Sequence, residues 1–290
     1  MTPTPAPPGL WQHSSRDALL VGASIVHAGA LVAAWWLHRA GAWWALVVVM
    51  LLTVFLVCTN FQCIAHNFLH LPFFRSRSLN HAFSVWNSIL PGMPQTAYKH
   101  HHLNHHRGNS DYPDPQGSTR DRSSIYRFSR RPGRAESIVR YSLLSPVRTD
   151  VRPVLRDAAR HGETPILMAE TGAILVEVGL LAWAAPWFLA TVWLPIWYLG
   201  QVASFAENYF EHVGAEPGDR KTDAVSCYSR WYNWLWFNNG YHQEHHWRPQ
   251  VHWTQVPTLT SSLPDETRRR VVARAHWFNW PHRDRGISMR

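Results

Sequence analysis

Four stretches of this chain, residues 18–37, 42–65, 165–183 and 186–206, are dominated by apolar side chains. At about 1.5 Å of rise per residue each is long enough, as a helix, to cross a hydrocarbon core of about 30 Å. Only "HRAG" separates the first stretch from the second, and only "AA" the third from the fourth. The pattern therefore predicts two tight helical hairpins, each returning the chain to the side it left. The long polar segments between and after them predict a helical cap on that side.

Basic residues decide which side this is. Of the 28 Lys and Arg, 15 lie in residues 71–165 and 11 in residues 207–290, and the hairpin tips carry Arg39 alone. By the positive-inside rule both polar regions, and with them both termini, are expected in the cytoplasm. The expected fold is thus an all-α integral membrane protein, four transmembrane helices in two hairpins with a cytoplasmic helical cap, and the expected location is a bacterial inner membrane. "MTPTPAPPGL" has no basic start and no cleavage site, so residues 1–17 are read as a disordered arm and residues 18–290 as a single membrane domain.

Composition agrees once its distribution is considered. An apolar content of 46% with 17 tryptophans exceeds what a soluble domain needs. The mean hydropathy of −0.24 averages the spans with the polar regions. A sequence pI near 9.9 raises nucleic-acid binding, but the charge sits where membrane topology demands it and no recognition helix accompanies it, so no nucleic-acid partner is expected. Cys58, Cys63 and Cys227 show no paired spacing, so any metal chemistry falls to histidine.

Histidine is where the chain is unusual, with five in the seven positions 100–106. Four clusters follow the hairpins: "HNFLH" with His66 and His70, "HLNHH" with His102, His105 and His106, "NYFEH" with Asn208 and His212, and "HQEHH" with His242, His245 and His246. Residues three and four apart share a helix face, so each HxxHH run is expected to point three imidazoles the same way. His101 with His105 is an alternative frame for the second run. Nine histidines and an amide exceed the needs of one four-coordinate ion and suit two metals. Imidazole alone does not choose among zinc, copper, nickel and iron. Glu207, Glu211 and Glu244 lie inside the clusters and are expected to accept hydrogen bonds from the distal ring nitrogens.

These runs resemble the three histidine boxes of the integral-membrane fatty acid desaturase and hydroxylase superfamily, with three residues rather than four inside the first box. "GYHQEHHWRPQVHWTQVPTL" is similar to that family's third box and its proline-rich tail, and "HHRGNSDYPDP" to the stretch after the second. "ENYFEHVG" resembles the NYxEHxG element of membrane alkane monooxygenases and the accessory ligand pair of acyl-CoA desaturases. The resemblance implies two iron ions, dioxygen as co-substrate, and His66, His70, His102, His105, His106, His212, His242, His245 and His246 as catalytic metal ligands. Asn208 joins them directly or through water. The implied reaction is oxidation of an unactivated C–H bond in a lipid acyl chain. Desaturation is favoured, with hydroxylation of an acyl chain, an alkane or a carotenoid as the alternative. A membrane metal-handling protein is the rival from another class, and it would need ligands along the spans.

Other residues carry smaller expectations. His27 and Glu177 lie deep in their spans and are expected to hydrogen-bond each other, or else to line the substrate cavity; Glu170 is a candidate to reach the metal region. "WYNWLWFNNGYH" reads as an interfacial aromatic belt or as the wall of an alkyl channel. Asp111 and Asp114 either shape the turn around Pro113 and Pro115 or support the boxes. His81, His161, His252, His276 and His282 share no pattern and are read as ordinary. With no four-cysteine iron–sulfur pattern and no GxGxxG fingerprint, an external electron donor is expected, a ferredoxin, rubredoxin or cytochrome. The basic run from Arg120 to Arg134 is its candidate dock, or a contact for anionic lipid.

Overall fold

Residues 9–280 are described by a computed structural model, in which the helices follow the apolar stretches closely. Helix α1 spans Asp17–Arg39 and α2 spans Trp43–His70; the shorter α3 (Arg77–Ile89), α4 (Gln95–Gly108), α5 (Ile138–Arg148) and α6 (Arg152–Arg160) come next. Then come α7 (Thr164–Ala184), α8 (Pro186–His212), α9 (Arg230–Leu235) and α10 (His242–Trp247). Two parallel two-residue strands, Ser226–Cys227 and Val271–Val272, are the only sheet among the described residues. His282 and the first eight residues of the expected arm lie outside them.

α1, α2, α7 and α8 are long and apolar enough to cross a membrane. Their exposed side chains are themselves apolar, among them Val48, Leu51, Met168, Leu175 and Val176, the inverse of a soluble helix. Trp36, Trp43, Trp44, Trp183 and Trp187 are exposed near the turns joining α1 to α2 and α7 to α8, the position of an interfacial aromatic belt. α2 and α8 run beyond the apolar stretches, so the first box and the "NYFEH" run form their C-terminal turns.

α2 and α8 pack on each other at the centre, with α1 against α2, α3 against α7 and α5 against α8. Gly200 makes the central approach possible, because a Cβ there would stand 2.3 Å from Cγ1 and 2.5 Å from Cβ of Val57. Gly200→Ala is therefore expected to destabilise the protein by about 1–3 kcal/mol through overpacking. Thermal unfolding in detergent checks this, with an unchanged midpoint as the contrary result. Just before the first box, α2 takes a π turn over Asn60–Ala65, which inserts a residue and rotates the turn bearing His66 and His70. Asn60 stabilises it by exchanging amide hydrogen bonds with Asn87 at 2.8 and 2.9 Å.

Several expectations change here. Residues 9–16, read as part of a disordered arm, are pinned: Trp11 bridges to Phe74 and stacks on it at 5.2 Å, and Gln12 N–H donates to Phe73 O at 2.8 Å. His27 and Glu177 do not meet. His27 Nδ1 lies 3.4 Å from the Asn60 amide, while Glu177 accepts from Trp193 Nε1 at 3.3 Å. Each faces the helix its own span packs on, α2 for α1 and α8 for α7, and α1 and α7 are not packed neighbours. Glu170 stays away from the metal-type clusters and accepts from Ser84 Oγ and from Thr96 N and Oγ1.

Candidate metal centre

All nine box histidines converge. Their nitrogens fall into two buried groups, His66, His70, His102, His106 and His245 in one and His105, His212, His242 and His246 in the other, with the nitrogens of each group within 4.8 Å of one another. The HxxHH runs therefore do not point three rings one way. At about 100° per residue, positions i and i+4 nearly coincide in direction while the position between them at i+3 stands about 100° from the fourth. His102 and His106 enter the first group and His105 the second; His242 and His246 enter the second and His245 the first. His101 joins neither, and His100 pairs with Glu163 at 2.8 Å.

The protons settle whether these groups suit a cation. An imidazole whose Nδ1–H donates to an oxygen presents a bare lone pair at Nε2. His66 Nδ1 donates to Gln62 O at 3.1 Å, and His212 Nδ1 to Asp223 O at 3.1 Å. His105 Nδ1 donates to Asp121 Oδ2 at 2.7 Å, and His246 Nδ1 to Asn109 Oδ1. In the second group, lone pairs of His105 and His212 thus face each other at 3.0 Å, with His242 Nε2 3.3 Å from His212. In the first, Nε2 of His245 lies 2.6 Å from His66 and 3.1 Å from His106. Nitrogens about 2.0–2.1 Å from one ion are about 3 Å apart on neighbouring vertices. Converging lone pairs repel unless a cation lies among them, so the donor set fits one imidazole-bound metal ion in each group.

Burial lowers the pKa of His102, His106, His242, His245 and His246 well below 6.5, which keeps them neutral and able to ligate. Burial also opposes charge on His105, but Asp121 overrides it and raises that pKa, while the same pair holds Asp121 at about 2. These shifts fix how the metal-free protein responds to pH. Below about 6.5 the unfolded chain protonates the five lowered histidines and the folded one does not, so stability falls as pH falls. His105 and His276 act in the opposite sense, adding stability at low pH that is lost as pH rises through their raised values, but they are outnumbered. The unfolding midpoint of the metal-free protein is expected to drop from pH 7 to pH 5. A midpoint that rises on acidification would contradict the assignment.

The three carboxylates expected behind the boxes differ. Glu211 Oε1 stands 3.6 Å from His242 Nδ1 and accepts from Asn239 Nδ2 at 2.7 Å. Glu207 supports no box histidine; it accepts from Tyr232 Oη at 2.6 Å and pairs with His276 at 3.2 Å. Glu244 turns away and accepts from Ser226, Tyr228 and Thr260 hydroxyls. Asn208 donates to Tyr141 Oη at 2.7 Å, one turn before His212. Asp111 and Asp114 both serve the turn, accepting from backbone N–H of Arg120 and Asp121 and of Gln116 and Ser118.

Sequence reasoning missed Asp121, Asn109, Asp223 and His276. Asp121 and Asn109 hold rings of the second group, and Asp223 accepts from Asn109 and from Gln243 Nε2 at 3.3 Å. Asn109 ends α4 in the left-handed region with φ of 52°, so an Asn directly after a helix-terminal Gly was a readable cap signal. His276 is buried against Glu207 and Glu211; burial opposes its charge, but the two carboxylates raise its pKa to about 9.

An apolar cavity of about 160 Å³ reaches both groups. Phe61, Met93, Tyr98, Val154 and Phe205 are among its apolar lining residues, and His101, His102, His105 and His242 among its polar ones. Of the "WYNWLWFNNGYH" run only His242 lines it. Trp231 and Trp234 are exposed instead, and Trp236 is buried against Phe55 and Trp277.

Four helices long and apolar enough to cross a membrane, two of them ending in box histidines, stand beside two buried polyhistidine groups that could each hold a metal ion. The family model described as fatty acid desaturase matches residues 41–278, and the chain belongs to that family. It is thereby a membrane oxidoreductase of the desaturase and hydroxylase type, from a di-iron family that acts on lipids. No curated protein and no solved structure matches it.

Proposed function

We propose that the chain desaturates a lipid acyl chain, using two irons held by the nine histidines, with Asn208 as a further ligand direct or through water. The observation that carries this reading is the apolar cavity lined by histidines of both groups. Iron bound there, reduced and supplied with dioxygen, would provide the oxidant an unactivated C–H bond needs. The chain's own part is positioning. Phe61, Tyr98, Val154 and Phe205 hold the alkyl chain and exclude water, while Asp121, Asn109 and the carbonyls of Gln62 and Asp223 fix the rings in the tautomer that ligates. Loss of two hydrogens gives the alkene and, with two electrons and two protons, two waters from dioxygen.

Hydroxylation is the competing outcome, favoured by the "NYFEHVG" run at the end of α8. Lipid and hydrocarbon profiling of cells with and without the protein tests the choice. A new double bond supports desaturation, a new hydroxyl hydroxylation, and an unchanged profile neither. The metal-handling alternative needs ligands along the spans; among the described residues His27 faces Asn60 there and Glu177 faces Trp193.

In this reading the spans form two hairpins in a bacterial inner membrane, with the helical cap, metal centre and termini cytoplasmic. An external ferredoxin, rubredoxin or cytochrome supplies the electrons. Residues 71–165 carry 15 Lys and Arg against 7 Asp and Glu, and Arg130, Arg131 and Arg134 are exposed. An acidic carrier is steered to that face, so donor-dependent reduction is expected to slow as salt rises, the Debye length being about 10 Å at 0.1 M. A variant with these three arginines changed to glutamine should be slower at low salt and match the parent at high salt. Rates flat with salt in both would leave anionic lipid as the partner of this patch.

A further inference from the structure

Two small cavities reach the first histidine group apart from the large apolar one. One of about 10 Å³ has Asp17, Asn67, His70, His245 and His252 in its lining, and one of about 20 Å³ has His66, Asn67, Asn238, Asn239 and His245. Each has room for about one water. Both are also lined by Trp253, so this indole borders the two of them. His70 and His245 keep the most surface of the nine box histidines, 8% and 9%, against 1–2% for the four rings of the second group. A metal ion reaching these rings has to exchange its water for protein oxygen and nitrogen as it goes, because shedding water unreplaced is costly. Phe61, Met93, Val154 and Phe205 in the large cavity cannot replace that water, whereas the carboxylate, amides and imidazoles of the two small ones can.

Asp17, at the start of α1, holds this place together. It is fully buried, and its Oδ1 accepts from Trp253 Nε1 and from His252 Nε2, each at 2.9 Å. Its Oδ2 is buried with no hydrogen-bond partner, a costly state for an anionic oxygen that a cation relieves. On the other side, Asn238 Nδ2 donates to Trp253 O at 3.0 Å and the Phe237 ring meets the indole edge to face at 5.8 Å. Phe237 and Asn238 are both left-handed, with φ of 49° and 62°, so the loop that clasps Trp253 is itself held under strain. We infer that the two small cavities are the port through which a divalent metal ion reaches the five-histidine group, with Trp253 as its plug and the Asp17 carboxylate as a way-station for the passing ion. This rests on the histidine groups holding metal ions, and not on which lipid reaction they serve. The port is kinetic: it sets how fast an ion enters and leaves, while the histidines set how tightly it is held.

The test uses the metal-free full-length protein in uncharged detergent, with cobalt(II) as the probe. Visible absorption of the imidazole-bound ion follows uptake, and its decay in excess EDTA follows release. Trp253→Phe keeps the ring but loses the hydrogen bond to Asp17, so uptake and release are expected to quicken together by about tenfold, the worth of one hydrogen bond to a charged acceptor. Asp17→Asn keeps an acceptor for the indole but removes the charge, so both rates are expected to slow by about threefold or more. The cobalt bound at equilibrium should match the parent in each variant. The opposite signs are diagnostic, because a general loosening of the fold would quicken both. Two quickened variants therefore overturn the port. Unchanged rates in Trp253→Phe overturn the plug, and rates that do not slow in Asp17→Asn overturn the way-station. A lower equilibrium content in either variant, with rates unaltered, also overturns the port, because the residue then acts on the bound state. A parent that takes up no cobalt overturns the metal centre itself, and the port with it.

Discussion

Alanine in place of His245 is expected to abolish turnover and to lower the iron retained by the purified protein. Its Nε2 sits between those of His66 and His106, at 2.6 and 3.1 Å, so it is central to the five-ring group. Removing the ring deletes a donor that no neighbour can replace, since those rings are fixed by their own helices. Loss of a supporting partner behind a ligand costs about 10–100-fold in metal affinity, and loss of the ligand itself should exceed that. His70, His105 and His212 are expected to behave the same way. In the second run the order is diagnostic: His102→Ala should strip metal, whereas His101→Ala should spare it, because His101 lines the apolar cavity and joins neither group. His161→Ala should keep metal and turnover, as this ring hydrogen-bonds Asp157 O and lies beside His100, which is in neither group. His252→Ala should keep metal too, although it loses a 2.9 Å hydrogen bond to the buried Asp17. Metal analysis beside turnover decides the matter, and His245→Ala with full iron and full rate would remove that residue from the set.

The range of the interactions determines how much of this was legible in the sequence. The four spans were legible because apolar length is a local property, and their ends were missed only where α2 and α8 continue as helix into the polar boxes. The nine histidines were legible because helical spacing is local too. Their division between two groups depends on one residue's rotation, about 100°, which the run "HxxHH" contains but which counting shared faces overlooks. Partners brought in by folding left no such mark. Asp121 lies 16 residues beyond His105, and Asn109 lies 137 residues before His246. His276 looked ordinary because Glu207 and Glu211 are a whole polar region away. His27 and Glu177 were matched by depth alone, and depth says nothing about which spans are neighbours.

A second large effect is expected at a residue with no side chain. Gly108 closes α4, and a Cβ placed there would lie 2.3 Å from the backbone N of Asp121 and 2.6 Å from its Cα. No rotamer change relieves a contact with backbone, so Gly108→Ala must move the loop that carries Asp121. That carboxylate accepts from His105 Nδ1 at 2.7 Å and from Ser110 N–H at 2.8 Å, so one displacement releases both. Asn109, the next residue, holds His246 on one side and Asp223 on the other, and it moves with the loop. Two of the four rings in the second group therefore lose their orientation together. Asp121→Asn alone removes one support and is expected to cost about 10–100-fold in metal affinity. Gly108→Ala should cost more, and overpacking should lower stability by about 1–3 kcal/mol besides. The loss should be selective: iron at the second group declines while the first group, built from His66, His70, His102, His106 and His245, keeps its ion. Mössbauer spectra of iron-57-loaded protein distinguish a half-emptied centre from a uniformly weakened one. If Gly108→Ala held both irons and turned over at the parent rate, the close approach of α4 to the Asp121 loop would have no part in building the second group.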